Sequence, residues 1–222
     1  MKPRNRAFIP LIAGVLILCA STADRVLAEP GVFDASVDVG KVEVPGSAEF
    51  DQAKHQYRIT GSGENMWKAL DAFHFVYRKV IGDVKLSADI AFPAESKAAH
   101  RKGGCMIRQT LDADSPYADV MVHGDGLIEL QYRKEKGGIT EGVKAMAKAP
   151  ATVRLERRGD VFTLFVTPKD GAVETVGPVK LNLPEAAYAG LAVCSHDAKA
   201  LETAVFSNVV VTQKTHPPEP IR

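Results

Sequence analysis

The sequence has little cysteine, a single tryptophan and almost no surplus charge. Its 222 residues hold three cysteines and one tryptophan, and its formal net charge is +1. Balanced charge excludes a nucleic-acid grip, which needs a clustered basic face. There is no low-complexity tract and no internal repeat of fixed period. No long helical pattern occurs, and no two thiols sit at metal-ligand spacing, so a catalytic or metal-binding cysteine is not expected. What is present is a hydrophobic content of 45%, enough for a full core. Beyond the N-terminus the length fits one large domain, since all-β sandwiches run to about 200 residues as a single unit.

The first residues stand apart. Lys2, Arg4 and Arg6 form a basic head, and Phe8 to Ala20 is an apolar run too short for a comfortable membrane span. Small-residue cleavage sites follow, Val26-Leu27-Ala28 or Ser21-Thr22-Ala23. Residues 1–28 therefore read as a signal peptide, with an uncleaved anchor as the alternative. The chain is expected to be exported, periplasmic or extracellular, with no membrane span after cleavage. Leu18 is bulky where a lipoprotein site wants Gly or Ala, which discounts Cys19. Of the other cysteines, Cys105 shares a strand face with Ile107 on the core side. Cys194 shares one with Ala192 and His196 on the polar side. Opposite faces argue against a disulfide, although an exported compartment permits one.

Along the chain, short segments alternate apolar and polar residues between turn signals. Val37 to Val44 and Gln56 to Thr60 are expected strands, and Gly61-Ser62-Gly63-Glu64-Asn65 a loop before Met66-Trp67. Ala72 to Val80 carries Phe73, Phe75 and Tyr77 on one side and His74, Val76 and Arg78 on the other. Val84 to Phe92 follows. Lys134 to Pro150 reads as a long charged connection. Ala151 to Arg158 and Val161 to Thr167 form a hairpin about the tight turn Arg158-Gly159-Asp160. Tyr188 to His196 and Ala204 to Thr212 close the core. About ten to thirteen short strands at regular spacing specify a β-sandwich or jelly roll. The domain is expected over residues 29–212, with 213–222 a disordered tail.

The middle of this pattern, Arg101 to Arg133, is an antiparallel meander. Cys105, Ile107, Val120, Val122, Ile128 and Leu130 are expected in the core. Met106, Arg108, Met121, His123, Glu129, Gln131 and Arg133 take the other face, which is unusually polar.

Several pieces line up in order: Ser62-Gly63-Glu64-Asn65-Met66-Trp67, Asp71 to Tyr77, Met106-Ile107-Arg108-Gln109, Leu111 to Ser115, Leu130 to Arg133, and Gly190 to His196 running on to Phe206-Ser207-Asn208-Val209. Together they resemble the DUF1349-type modules, concanavalin A-like and laminin-G-like jelly rolls of exported bacterial proteins. The resemblance covers about residues 33 to 212. It implies an all-β, two-sheet antiparallel jelly-roll sandwich that binds carbohydrate. Since such modules also occur beside TolB-like propellers, it implies a protein partner as the alternative.

Glucanases of this superfamily carry an E-x-D-x-(x)-E strand, because hydrolysis needs two carboxylates roughly 5–10 Å apart. No such run exists here: Glu129 is followed by Gln131 and Arg133 on its face. A diverged glycan-acting hydrolase is thus the minority reading, and a non-catalytic module is preferred. Asp112-Ala113-Asp114 could hold calcium, but an exposed turn with local backbone bonds is the simpler reading, so no cofactor or metal is expected. A three-histidine metal site at His74, His123 and His196 yields to a hydrogen-bonded polar cluster. His55, His100 and His216 read as solvent-exposed. The candidate ligand-binding residues are His74, Arg108, His123, Gln131, Arg133 and His196, whose planar or paired donors suit sugar hydroxyls on a concave sheet. Trp67, Phe73 or Tyr132 would supply a ring to stack on a sugar, Phe73 and Tyr132 being equally readable as core.

Overall fold

Alternation decides the strands. Between Asp83 and Ala91, Val84, Leu86, Ala88 and Ile90 are buried at every second position, because successive side chains on a strand point to opposite faces. A computed structural model describes residues 31–96 and 98–214, and places fourteen strands and no helix among them. They are β1 (Ala35–Val39), β2 (Ser47–Asp51), β3 (Gln56–Gly63), β4 (Phe73–Ile81), β5 (Asp83–Ala91), β6 (Lys102–Arg108) and β7 (Tyr117–His123). The second half holds β8 (Ile128–Arg133), β9 (Glu141–Lys144), β10 (Ala151–Arg158), β11 (Val161–Pro168), β12 (Glu174–Lys180), β13 (Ala186–Cys194) and β14 (Asp197–Lys214).

Two seven-stranded sheets result. The first is ordered β1-β4-β13-β6-β7-β8-β9 and the second β12-β11-β10-β5-β14-β3-β2. Every pairing is antiparallel, so the expected two-sheet antiparallel sandwich is the fold. The core between the sheets includes Ile59, Leu86, Ile107, Val120, Leu130, Leu155, Leu164, Leu191 and Phe206. The β10–β11 hairpin forms where expected, with Arg158 facing Val161 and Gly159 in the left-handed region at φ 56°.

The first sheet is covered on its outer face as well. Met66, Phe73, Phe75, Met106, Tyr117, Met121 and Cys194 form a second apolar layer there, and β6 and β7 are buried at every position. Three connections make the roof: residues 64–72, 109–116 and 134–140. They are stitched by backbone bonds from Asp71 N to Ala113 O (2.9 Å), Gly137 N to Asp114 O (2.9 Å) and Thr140 N to Lys68 O (3.1 Å).

Asp71 fastens the roof to the sheet. Its fully buried carboxylate takes a two-pronged bond from Arg133, Nη2 to Oδ1 at 2.6 Å and Nη1 to Oδ2 at 2.9 Å. Arg108 Nη2 lies 3.5 Å from Oδ2. The remaining guanidinium donors reach carbonyls of the same connections: Arg108 to Thr110 and Asp112, Arg133 to Lys68, Ser115 and Gly138. Burial opposes the charge on Arg133, but the hydrogen bonds and charge of Asp71 outweigh it and raise its pKa. Burial also pushes the Asp71 carboxyl up against both arginines. Each guanidinium stays charged, since it does not deprotonate in proteins, and together they offset part of that cost.

Three differences from the sequence reading stand out. β2 and β9 escape notice because both are edge strands with mostly exposed residues and no apolar alternation. β3 runs on through Gly61-Ser62-Gly63, where a loop is expected. β14 extends through Gln213 and Lys214, which pair with Val84 and Asp83. The expected signal peptide, residues 1–28, and residues 215–222 of the expected tail lie outside the described residues.

Removing one partner of a buried ion pair leaves the other charge stranded, at a cost of about 3–5 kcal/mol. Asp71→Ala is therefore expected to lower the urea unfolding midpoint steeply. Lys136→Ala, which removes only exposed contacts to Asp112 and Asp114, should leave the midpoint where it was. Similar midpoints for the two variants would contradict the role given to Asp71.

Candidate functional site

Register lays out the outer face of the first sheet. Lys102 lies opposite His123, Met106 opposite Asp119, Asp119 opposite Gln131, Met121 opposite Glu129, and Glu129 opposite Lys144. The roof closes over the end holding Arg108, Tyr117 and Arg133. The other end is a cavity of about 340 Å³. Its floor is Lys102, His123, Glu129 and Gln131 from the strands, and its walls are Asn65, Trp67, His100 and His196 from connections.

The polar groups of this cavity are only half satisfied by one another. Lys102 Nζ donates to Asn65 Oδ1 at 2.5 Å, and the same oxygen accepts from Met66 N at 2.8 Å. Asn65 Nδ2 then lies 3.2 Å from His196 Nε2; with its oxygen occupied, the amide donates, so that ring nitrogen is an acceptor and His196 is neutral. Gln131 Nε2 donates to Glu129 Oε2 at 2.9 Å, and His123 Nε2 stands 3.9 Å from the same oxygen. Both ring nitrogens of His123 and Oε1 of Gln131 are buried and make no hydrogen bond within the protein, and the same holds for both oxygens of Asp119, which faces Gln131 across the strands but does not line the cavity. Each such atom costs about 1–3 kcal/mol in a closed interior.

Burial sets the protonation states. It pushes the His123 pKa down to about 4, with the Lys102 charge acting in the same direction. It lowers Lys102 against the attraction of Cys194, Asp119 and Glu129. It raises Asp119 well above the carboxylate range, and with Lys102 it lowers His196. At neutral pH, His123 and His196 are uncharged rings, each with one donor and one acceptor nitrogen.

Three of the six residues expected to bind ligand gather here: His123, Gln131 and His196. Arg108 and Arg133 share the face, but they are fully buried and their donors are taken by Asp71 and the connection carbonyls. They hold the roof and have no group free for a ligand. His74 lies on the opposite face. Phe73 and Phe75 belong to the outer layer, so the alternate residue His74 points between the sheets, where its Nδ1 meets Asp38 Oδ1 at 2.7 Å. A Cβ on Gly46 would come within 2.4 Å of its ring. Aromatic residues on the outer face reversed the expected polarity of β4.

Asn65 and Asp119 carry no expected site role, and the Arg101-Lys102 pair, which reads in the sequence as ordinary solvated charge, is buried. Counting back from Arg108 at period two places Lys102 on the outer face, and Asp119 shares parity with Met121 and His123, so both were within reach of the pattern. His100 is exposed as expected, yet its ring is 5.4 Å from that of His196 and 6.0 Å from that of His123. Among the described residues no group of three or more His, Cys, Asp or Glu is placed to hold a metal ion, and the Asp112 and Asp114 carboxylates face Lys136. Cys105 and Cys194 are free and buried in separate layers, one on each face of the sheet, as parity implied.

No protein-family model matches the sequence, and no curated protein matches it. Solved structures do. A functionally unknown protein from Saccharomyces cerevisiae aligns with a TM-score of 0.59 at 15% identity, over 82% of this chain and 97% of that one. The carbohydrate-binding module CBM66 from Bacillus subtilis aligns at 0.53 and 17% identity, over 81% and 96%. Lectin II from Ulex europaeus aligns at 0.52 and 12% identity, over 82% and 100%. At these identities the likeness is one of fold alone: the chain is a jelly-roll sandwich of the kind that this binding module and this lectin share.

Proposed function

We propose that the chain is an exported, non-catalytic module that binds a saccharide, or a sugar-like polar ligand, on the outer face of its first sheet. One observation carries this reading. Buried atoms of His123 and Gln131 that make no hydrogen bond within the protein line a cavity walled by the half-buried Trp67. Sugar hydroxyls both donate and accept, and neutral His123 and the Gln131 oxygen complement them. The Trp67 ring suits the apolar face of a pyranose. The sequence's resemblance to DUF1349-type modules and the fold likeness to a carbohydrate-binding module and a lectin support the same reading. Export rests on the basic head and apolar run within residues 1–28.

Hydrolysis of a glycan is the second reading. Asp119 and Glu129 are diagonal cross-strand neighbours, a separation of about 7–8 Å that suits paired carboxylates. Complete burial of Asp119 favours a binding role instead.

A glycan array followed by calorimetry on the purified protein tests the proposal. A saccharide is expected to bind, and His123→Ala and Gln131→Ala are each expected to weaken it tenfold or more, about 1.4 kcal/mol. Lys54→Ala, on a remote surface, should bind as the parent does. Binding by no saccharide, or equal affinity in the pocket variants, would overturn it.

The buried ring also predicts a pH dependence of stability. His123 sits at about 4 when folded and near ~6.5 when unfolded. Between those values the unfolded chain holds a proton that the folded chain does not. Stability present above pH ~6.5 is therefore lost as pH falls toward about 4, on the order of 3 kcal/mol in all. His123→Gln should flatten this slope in denaturant titrations; identical slopes would show that His123 is not its source.

A further inference from the structure

The connection from β3 to β4 crosses the outer face of the first sheet as a ridge that lines two cavities. Asn65 and Trp67 line the cavity described above and also a second one of about 530 Å³. The second is built differently. Leu70, Ala72, Ala113 and Ala198 give it apolar walls, and Lys41 and Glu64 stand at its rim.

We infer that the two cavities are adjoining subsites of one groove, and that its ligand is an oligosaccharide with sugar residues on both sides of Trp67. This rests on the saccharide reading above. Three observations carry it. Each cavity has a volume in the range of about 300–1,000 Å³ typical of ligand sites, and the two share the Asn65–Trp67 edge. Their chemistries are complementary: the first offers buried hydrogen-bonding atoms, and the second an apolar wall with charged groups at the rim, which suits the face and edge of a further sugar ring.

The third observation is that the ridge is braced where Trp67 projects. The carbonyl just before it, on Met66, accepts from Tyr117 Oη at 2.8 Å. The carbonyl just after it, on Lys68, accepts from Arg133 Nη2 at 2.9 Å and from Thr140 Oγ1 at 3.0 Å. Asn65 O accepts from Ala72 N at 2.8 Å, closing the loop at its base. An indole that is half-buried on so constrained a backbone is a preorganised platform, one whose ordering cost is met in folding and not on binding.

The test is calorimetry on the full protein with fructo-, xylo- and cello-oligosaccharides, from monosaccharide to pentasaccharide. In the series that binds, the disaccharide or a longer member should bind at least tenfold tighter than the monosaccharide. Ala198→Trp, which fills the second cavity from its rim, should bring the longer ligands down to the monosaccharide's affinity and leave the monosaccharide's affinity unchanged. Leu70→Trp serves as a second filling variant should the first not fold, as judged by circular dichroism. A monosaccharide that binds as tightly as its longer homologues, or a length dependence that persists with the cavity filled, would overturn the two-subsite groove while leaving the saccharide site standing. Binding by no member of any series would overturn the groove together with the saccharide reading on which it rests.

Discussion

The buried carboxylate of Asp71, gripped by Arg133 and approached by Arg108, is the interaction on which the functional end of the molecule depends. A bare sheet face would be left to water. Here three connections lie across it, and each has a carbonyl tied to one of those two guanidiniums. A buried ion pair adds little net stability compared with apolar groups of similar volume. Its value here is geometric: many fixed donors converge on one small region and hold loops that would otherwise have several arrangements. Tyr117 and Thr140 join the same network, so the backbone on either side of Trp67 is fixed by groups that never touch a ligand.

The division of the face follows from this fastening. At one end every donor has a partner and the surface is closed. At the other, Lys102, His123 and Gln131 sit on neighbouring strands with their polar atoms only partly engaged. Both ends are polar and buried. What separates them is satisfaction, and an unsatisfied buried donor or acceptor is the costlier state. That difference, more than the number of charges, marks the open end as the place where a polar ligand belongs.

The fold was largely legible in the sequence, because period-two alternation and Gly- or Pro-marked turns are local signals. The core residues of β6, β7 and β8 lie on the faces that parity assigned. The site was legible only in part. Parity put Arg108, Arg133, His123 and Gln131 on one surface correctly, but it cannot tell which of them meet a partner from elsewhere. Asp71 lies 37 residues before Arg108 and 62 before Arg133, in a segment with no periodic pattern, so its pairing with them is a tertiary fact. His74 failed for a different reason: the outer face of β4 carries Phe73 and Phe75 because a second apolar layer covers it. A sheet buried on both sides does not announce which side is the core. Lys102 and Asp119 followed the alternation, but a charged residue in a strand reads as solvated unless the layer that covers it is known, and both are buried.

Because the chain has one tryptophan, its tryptophan emission, excited apart from the tyrosines, reports on the ridge alone. A titration of the protein with a bound saccharide, followed by Trp67 emission, therefore tests the central claim most directly. The account predicts a saturable shift in emission whose midpoint matches the calorimetric affinity, and which disappears in His123→Ala at the same saccharide concentrations. A saccharide that binds by calorimetry while Trp67 emission stays constant would contradict the account and move the site elsewhere on the sandwich.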